Sequence, residues 1–450
     1  MRRITLDKDF YSTLVRLAVP IALQNLIGLG MNLIDTVMLG SLGEKQISAS
    51  ALANQPYFIF TLFIFGLCSG ACVLTAQYWG KKDIETISRI VAFAIKSSVI
   101  VSAVFTAVVL IFPEAVISIY TGDAEVIRYG AQFLRIIGFS YIISGISLTY
   151  LYLQRSVENV RLPLMINLTS FVVNAFLNWV LIYGNLGAPA MGIRGSATAT
   201  LTARILELVM ALVYALGFDK ILKFKPSYFV STDKQLVSDF LRYSLPVVAN
   251  ETLWGLGISI ESVIIGHISS QMVAANSIAG VVQRLGMVVI FGIANAAAVI
   301  VGKQIGSDNQ EKARIYARKL LRVSVALGAV SSLLLLIIRD PMVGIYNVDP
   351  VTKGLACTMI NVYAIVIIFQ AFNTVNIVGI LRGGGDTRFA MIIDVASLWG
   401  VALPLGAISG LVFHLPVAIF FFLMLGDEPT KFLIGVWRFR TGKWLQNVTR

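Results

Sequence analysis

Runs of about twenty apolar residues recur along almost the whole chain, the length a helix needs to cross a bilayer. The expected spans are 13–40, 50–78, 89–113, 127–153, 162–184, 191–217, 240–266, 274–304, 315–339, 351–381, 388–411 and 413–437. Several are longer than one bilayer thickness and predict tilt or extension past the hydrocarbon. Hydrophobic residues make up 57% of the 450 and charged ones 13%, where a soluble domain has about 25% charged. The fold class is therefore an all-α polytopic membrane protein of twelve transmembrane helices. No short apolar segment with a small-residue cleavage site opens the chain, so the first run reads as a span and not as a signal peptide.

The net charge of +12 is a matter of topology. Twelve spans put both termini on one side. That side receives most of the basic residues, among them Arg2, Arg3, Arg155, Lys223, Arg382, Lys431 and Arg450. The other receives only Lys45, Arg128, Arg135, Arg194, Arg339 and Lys353, while Lys96, Arg204 and Arg284 fall inside spans. Positive charge concentrates on cytoplasmic loops, so both termini are expected in the cytoplasm of a multi-pass protein of the cell membrane. The basic side faces lipid headgroups, not nucleic acid. Cys68, Cys72 and Cys357 form no disulfide framework. His267 and His414 are isolated and point to no metal site.

A polar stretch at 218–239 divides the chain into two expected six-helix bundles, 1–217 and 240–450. The halves repeat. At an offset of 226, Pro20 meets Pro246, Val37 meets Val263, Gly40 meets Gly266 and Ala49 meets Ala275. Phe65 and Gly66 meet Phe291 and Gly292, Gly80 meets Gly306, and Tyr120 and Asp123 meet Tyr346 and Asp349. With one residue of slip, Arg155 meets Arg382, Arg161 meets Arg388 and Ser170 meets Ser397. Six spans separate the copies, so both enter the membrane in the same sense, the parallel repeat that many transporters use.

Acids inside such spans are costly unless they face a cavity or a partner. Asp35 stands in LIGLGMNLIDTVMLG with Asn32 one turn before it, and its repeat mate is Glu261. Both precede a glycine by five residues, so Glu261 reads as an acid near its helix end, within reach of headgroups or water. Glu251, in NETLWGLG, is a candidate to bind a cationic substrate, to carry a coupling proton or to pair with a basic residue, and Trp254 shares its face and suits an organic cation. Arg204 and Glu207 are spaced to neutralise each other. Arg284 lacks a sequence-local acid and is left to Glu251, Glu261 or a central cleft. Glu428 and Lys431 read as a pair near the cytoplasmic end.

Pro20 followed by Asp35 in P-x14-D-T-V-M-L-G resembles the first helix of the multidrug and toxic compound extrusion (MATE) transporters. The motifs QYWGKKD (77–83), VGKQIGSDNQEKA (301–313), LRGGGDTR (381–388) and WRFRTGKW (437–444) fit the same family. The pattern is of the prokaryotic type, closer to NorM-like than to strict DinF-like members. The resemblance implies an antiporter that exports cationic, amphipathic organic compounds against H+ or Na+, with Asp35 as a coupling site. It implies no cofactor beyond the coupling ion, with Na+ held at Asp35 or Glu251. Where some branches place a second acid in helix five, this chain has Asn178 in N174-A-F-L-N178, so a two-carboxylate switch is incomplete and Asn178 is left to coordinate or to orient Asp35. Helix ten has Asn373 and Asn376 where NorM-like members carry an acid. Asp394, repeat-related to Asn167, offers a further acid in the second half. The expected partners are small organic substrates, the coupling cation and membrane lipids, and the expected state is a monomer. The alternative is a lipid-linked precursor flippase of the same superfamily, which would want a more basic cavity. A membrane-embedded enzyme ranks below both, because no His, Cys and acid groups converge in the sequence.

Overall fold

The computed structural model describes residues 8–222, 225–230 and 233–449; Arg2, Arg3, Lys223 and Arg450 of the basic set lie outside them. Almost every described residue is helical. Lipid offers backbone N–H and C=O groups no partner, and a helix satisfies them within one segment. The first half runs α1 (Lys8–Gly40), α2 (Glu44–Lys81), α3 (Ile84–Ile111), α4 (Pro113–Ser118), α5 (Ala124–Ile137), α6 (Ser140–Ser156), α7 (Arg161–Tyr183) and α8 (Ile193–Val213). The second continues with α9 (Pro226–Val230), α10 (Lys234–Ile268), α11 (Ser270–Gly306), α12 (Gln310–Ile345) and α13 (Pro350–Thr374). It closes with α14 (Thr387–Ser397), α15 (Leu403–Ala407), α16 (Val417–Met424) and α17 (Asp427–Thr441). Wider π-type turns at Tyr214–Phe218 and Val375–Leu381 lengthen α8 and α13, and two more join α14 to α15 and carry it to Val412.

Among the described residues nine helices are long and apolar enough to cross a membrane, and the bent pair α5–α6 makes a tenth. α10 and α16–α17 occupy the seventh and twelfth expected positions. Both carry charge along their length: Glu251 and Glu261 on α10, Asp427, Glu428 and Lys431 on α17. Two expected spans are not single helices. The fourth, 127–153, bends by 53° between α5 and α6. A Cβ on Gly138 there would lie 2.7 Å from the Leu110 side chain of α3 and 2.9 Å from the Leu134 carbonyl oxygen, so glycine eases the approach, and the Thr106 hydroxyl donates to the Gly138 carbonyl at 3.2 Å. The twelfth, 413–437, breaks at Leu425–Gly426.

The repeat extends to the turns. Lys82 and Asp308, 226 residues apart, both have left-handed backbone (φ 63° and 60°), and each amide bonds the carbonyl three residues back. The next residues, Asp83 and Asn309, both cap the helix that follows. Glu158 and Gly385, 227 apart, are left-handed as well (φ 64° and 89°) and donate to the carbonyls of Arg155 and Arg382. Asp123 and Asp349 cap α5 and α13 through their side chains. Equal turns at equal offsets mean that the two halves lay down the same order of elements in the same sense.

Packing divides the described residues into two compact units. One holds α1 through Ala22, Cys72–Lys82 of α2, and the chain from Leu245 onward; the other holds Leu23–Ala71 and Asp83–Ser244. This division differs from the division by repeat, since α1 and α2 each contribute to both units. In the second unit the core gathers around Tyr141, whose ring meets Tyr57 at 5.4 Å and Phe60 at 5.1 Å. In the first, Phe10 packs on Tyr316 at 4.8 Å under the ammonium of Lys319. Aromatic edges and faces of this kind add specific geometry to apolar burial.

Candidate functional site

α7 and α8 approach closely because Gly195 has no side chain; a Cβ there would lie 2.5 Å from the Leu181 carbonyl oxygen. That approach sets Asn174 and Asn178, one turn apart on α7, against α8 on one side and α1 on the other. The Asn178 amide donates to Asp35 and, at 3.2 Å, to the Asn174 carbonyl oxygen. The Asn174 amide donates to Thr200 on α8 at 3.1 Å. Asp35 thus ends a chain of neutral polar groups, Asp35–Asn178–Asn174–Thr200. Asn174 and Asn178 are fully buried, and the side-chain carbonyl oxygen of Asn178 has no hydrogen-bond partner. A buried acceptor left unsatisfied beside a carboxylate is costly, and a proton or a small hard cation on the pair relieves that cost.

Arg204 lies in the field of Asp35 but is already engaged. Its guanidinium pairs with Glu207 at 2.7 Å, as their spacing predicts, and Ser147 donates to the same carboxylate at 2.8 Å. The other Arg204 nitrogen lies 3.9 Å from the Met31 sulfur, one turn before Asp35. Asn32 stands apart; it is exposed, and its side chain does not join the bonds around Asp35.

The second half holds a different network. Glu251 pairs with Arg382 at 2.7 Å. Its neighbour Asn250 donates to Asp394 at 3.0 Å. Asp394 in turn pairs with Lys431 at 2.6 Å, and Lys431 also meets Asp427 at 2.7 Å. Asn373 donates to the Glu428 carboxylate at 2.7 Å and to its backbone carbonyl at 2.8 Å. Glu251, Asn373 and Asp394 therefore come together, though not with Asp35.

Several expectations are corrected. Lys431 does pair with Glu428, at 3.8 Å, but its shorter contacts, to Asp394 and Asp427, were not expected. Arg382 and Lys431 are not headgroup-facing residues: they are 2% and 3% exposed, because buried carboxylates draw the long side chains inward. Glu251 takes Arg382 as partner, while Arg284 is exposed. Glu261 is partly buried and sits in the field of Asp427, Lys431 and Glu428, not at a helix end facing headgroups. Trp254 is 36% exposed, so its face is open, which leaves its expected part in binding an organic cation to experiment. As expected, Cys68 and Cys72 are buried and in no disulfide, and both histidines bond carbonyls of their own turns.

Sequence reading missed Arg382, Lys431, Asn250, Ser147 and Thr200 as site residues. The repeat carried a usable signal for two of them. Lys431 is the mate of Arg204 at an offset of 227, so the two halves place a cation at the same position of their last span. Arg382 is the mate of Arg155, which bonds Gln24 at 2.6 Å where Arg382 bonds Glu251.

The MatE family model matches residues 20–180 and again residues 247–408, well over half of the chain. The chain belongs to the MatE family. The two matches begin 227 residues apart, so the family unit is the internal repeat itself. This MatE chain is 22% identical to the uncharacterized transporter YisQ of Bacillus subtilis (strain 168), over 98% of its own length and 96% of the relative's. It is 26% identical to a probable multidrug resistance protein NorM of Rhizobium meliloti (strain 1021), covering 94% and 91% of the two chains. Its fold matches a crystal structure of MATE in the bent conformation, with a TM-score of 0.87, 16% identity, and 97% and 96% coverage. The MatE chain is thus a multi-pass membrane protein of a transporter family and not an enzyme.

Proposed function

We propose that this MatE chain is a secondary antiporter that exports organic, mostly cationic and amphipathic compounds in exchange for H+ or Na+. Multidrug resistance is what the names of the NorM relatives state, and this supports export of organic compounds by this chain. The observation that carries the coupling role is the chain Asp35–Asn178–Asn174–Thr200. Its oxygens, including the unsatisfied carbonyl of Asn178, form a donor set suited to a proton or a hard cation. Glu251 and Asp394 are weaker candidates, because Arg382 and Lys431 already balance them.

The mechanism is a rocking of two bundles between conformations of different affinity. With Asp35 ionised and empty, the Asn178 amide is its donor. A proton or Na+ that enters removes or balances the charge and shifts the preferred arrangement of the first bundle, with α1 yielding near Pro20. Substrate and coupling ion then compete through that equilibrium. The protein works as a monomer in the cell membrane, with lipid around the spans and both termini in the cytoplasm.

Transport by purified protein in liposomes tests this. Imposed pH and Na+ gradients should each be tried with a panel of organic cations, on wild type, Asp35→Asn and Glu251→Gln. Gradient-driven movement in wild type that is lost in Asp35→Asn supports the reading; no movement of any cation under either gradient contradicts it.

A further inference from the structure

Four motifs play no part in the coupling site: QYWGKKD, VGKQIGSDNQEKA, LRGGGDTR and WRFRTGKW. They come from both halves of the sequence, and the fold brings them to one place. Gln77, near the end of α2, is fully buried. Its amide donates to the carbonyls of Gly383 (3.3 Å) and Gln446 (3.0 Å), and its side-chain oxygen accepts from the Val448 amide at 2.8 Å. Gln446 closes the circuit by donating its backbone N–H to the Gly384 carbonyl at 2.9 Å. Residues 442–449, beyond α17, therefore form a strap rather than a loose tail. The strap is seated by Trp444, fully buried and stacked on Phe439 at 5.5 Å, with its indole N–H on the Phe439 carbonyl. Arg438 adds an ion pair to Asp386 at 2.7 Å.

Beneath the strap, α2 and α11 touch backbone to backbone. A Cβ on Gly80 would lie 2.1 Å from the Lys303 carbonyl oxygen, and one on Gly306 would lie 1.8 Å from that of Gln77. Gly80 and Gly306 are repeat mates. The contact is thus made by equivalent helix ends of the two halves, near enough that no other residue fits. A Cβ on Gly384 would meet the Trp444 carbonyl at 2.3 Å, so the glycine run of LRGGGDTR is needed to admit the strap.

We propose that this assembly is a clasp: the strap 442–449 locks the end of α2 to α11 and to the turn before α14, and the transport cycle must release it. Close approach of small residues is the usual packing of membrane helices, so the Gly80–Gly306 contact itself favours neither a fixed nor a parting pair. What joins the strap to the end of α2 is one buried amide that bonds only backbone groups, while Trp444 and Arg438 hold the strap to α17 and to the turn before α14; bonds of the first kind are individually weak and separable. Alternating access between two repeats needs contacts between them that form and break together. The clasp is the place where the first repeat's α2 is held to second-repeat elements by a segment with no regular structure of its own.

The inference rests on the antiport reading, so its test includes a readout without substrate. Ala76 is fully buried, and a Cβ on Gly302 of α11 would lie 2.9 Å from it. Ala76→Cys, in a chain with Cys68, Cys72 and Cys357 replaced by Ser, reports opening of that contact through its rate of maleimide labelling in nanodiscs. Gln77→Ala, or removal of the residues after Gly442, should raise that rate about tenfold or more. Separately, Gln77→Cys with Val448→Cys, bridged by a short bifunctional methanethiosulfonate, should lose gradient-driven transport and regain it on reduction. Unchanged labelling in both release variants overturns the clasp, as does a bridged protein that transports at the rate of the reduced one. Should the release variants fail to fold, the reversible bridge decides alone; should no transport be seen even after reduction, labelling decides alone.

Discussion

Asp35 differs from most other acids in the spans by what faces it. Glu251 and Asp394 carry cations, whereas Asp35 is bonded by the amide of Asn178. Asn178→Ala should lower coupled export about tenfold or more, the scale of a hydrogen bond to a charged group; ion-driven transport at the wild-type rate would refute the orienting role. The Glu251–Arg382 pair behaves otherwise. Arg382→Gln strands a buried carboxylate and should cost about 3–5 kcal/mol, while adding Glu251→Gln should recover much of it. Thermal unfolding in detergent reads both, and equal melting of Arg382→Gln and wild type would contradict the pairing. The Asp35–Asn178 contact was legible because the motif departed from its family pattern at one position. Asn32 misled, because one-turn spacing puts two residues on one stripe without saying which stripe faces α7. Arg382 and Lys431 were hidden because position along the chain tells where a Cα lies, not where a long side chain ends.

At the scale of elements, the limits of most spans lie within a few residues of the expected ones, since charges and glycines flank each apolar run. The bend at Gly138 was not legible, because its causes are a close approach to α3 and a carbonyl captured by Thr106. The break at Leu425–Gly426 does carry a local signal, since Gly426, Asp427, Glu428 and Pro429 interrupt the apolar run. The caps carry a prediction. The backbone amides of Val126 and Glu125 bond the exposed Asp123 carboxylate and hold it below its ordinary value of 3.8, and the Thr352 amide and hydroxyl do the same for Asp349. A depressed folded value stabilises above the unfolded one, and the gain disappears as pH falls through the folded value. Wild type should therefore lose melting temperature on acidification below about pH 4, and Asp123→Asn with Asp349→Asn should flatten that limb. A double variant whose acid limb superimposes on wild type would rule the caps out as its source.

For the whole molecule, the repeat was the most informative feature of the sequence. It is present in the paired prolines and glycines, in the left-handed turns at Lys82 and Asp308, and in two separate family matches. Upon that shared scaffold the halves are chemically unequal. The same scaffold holds a neutral amide on Asp35, with Arg204 nearby but paired to Glu207, in one half and paired charges at Glu251 and Asp394 in the other, and the proposed coupling role is assigned to the first half on that ground. Ion-driven transport by wild type and Asp35→Asn in the same liposomes tests that assignment most directly. The account predicts that Asp35→Asn inserts and folds as wild type does but moves no organic cation in response to a pH or Na+ gradient; export by that variant at the wild-type rate would contradict it.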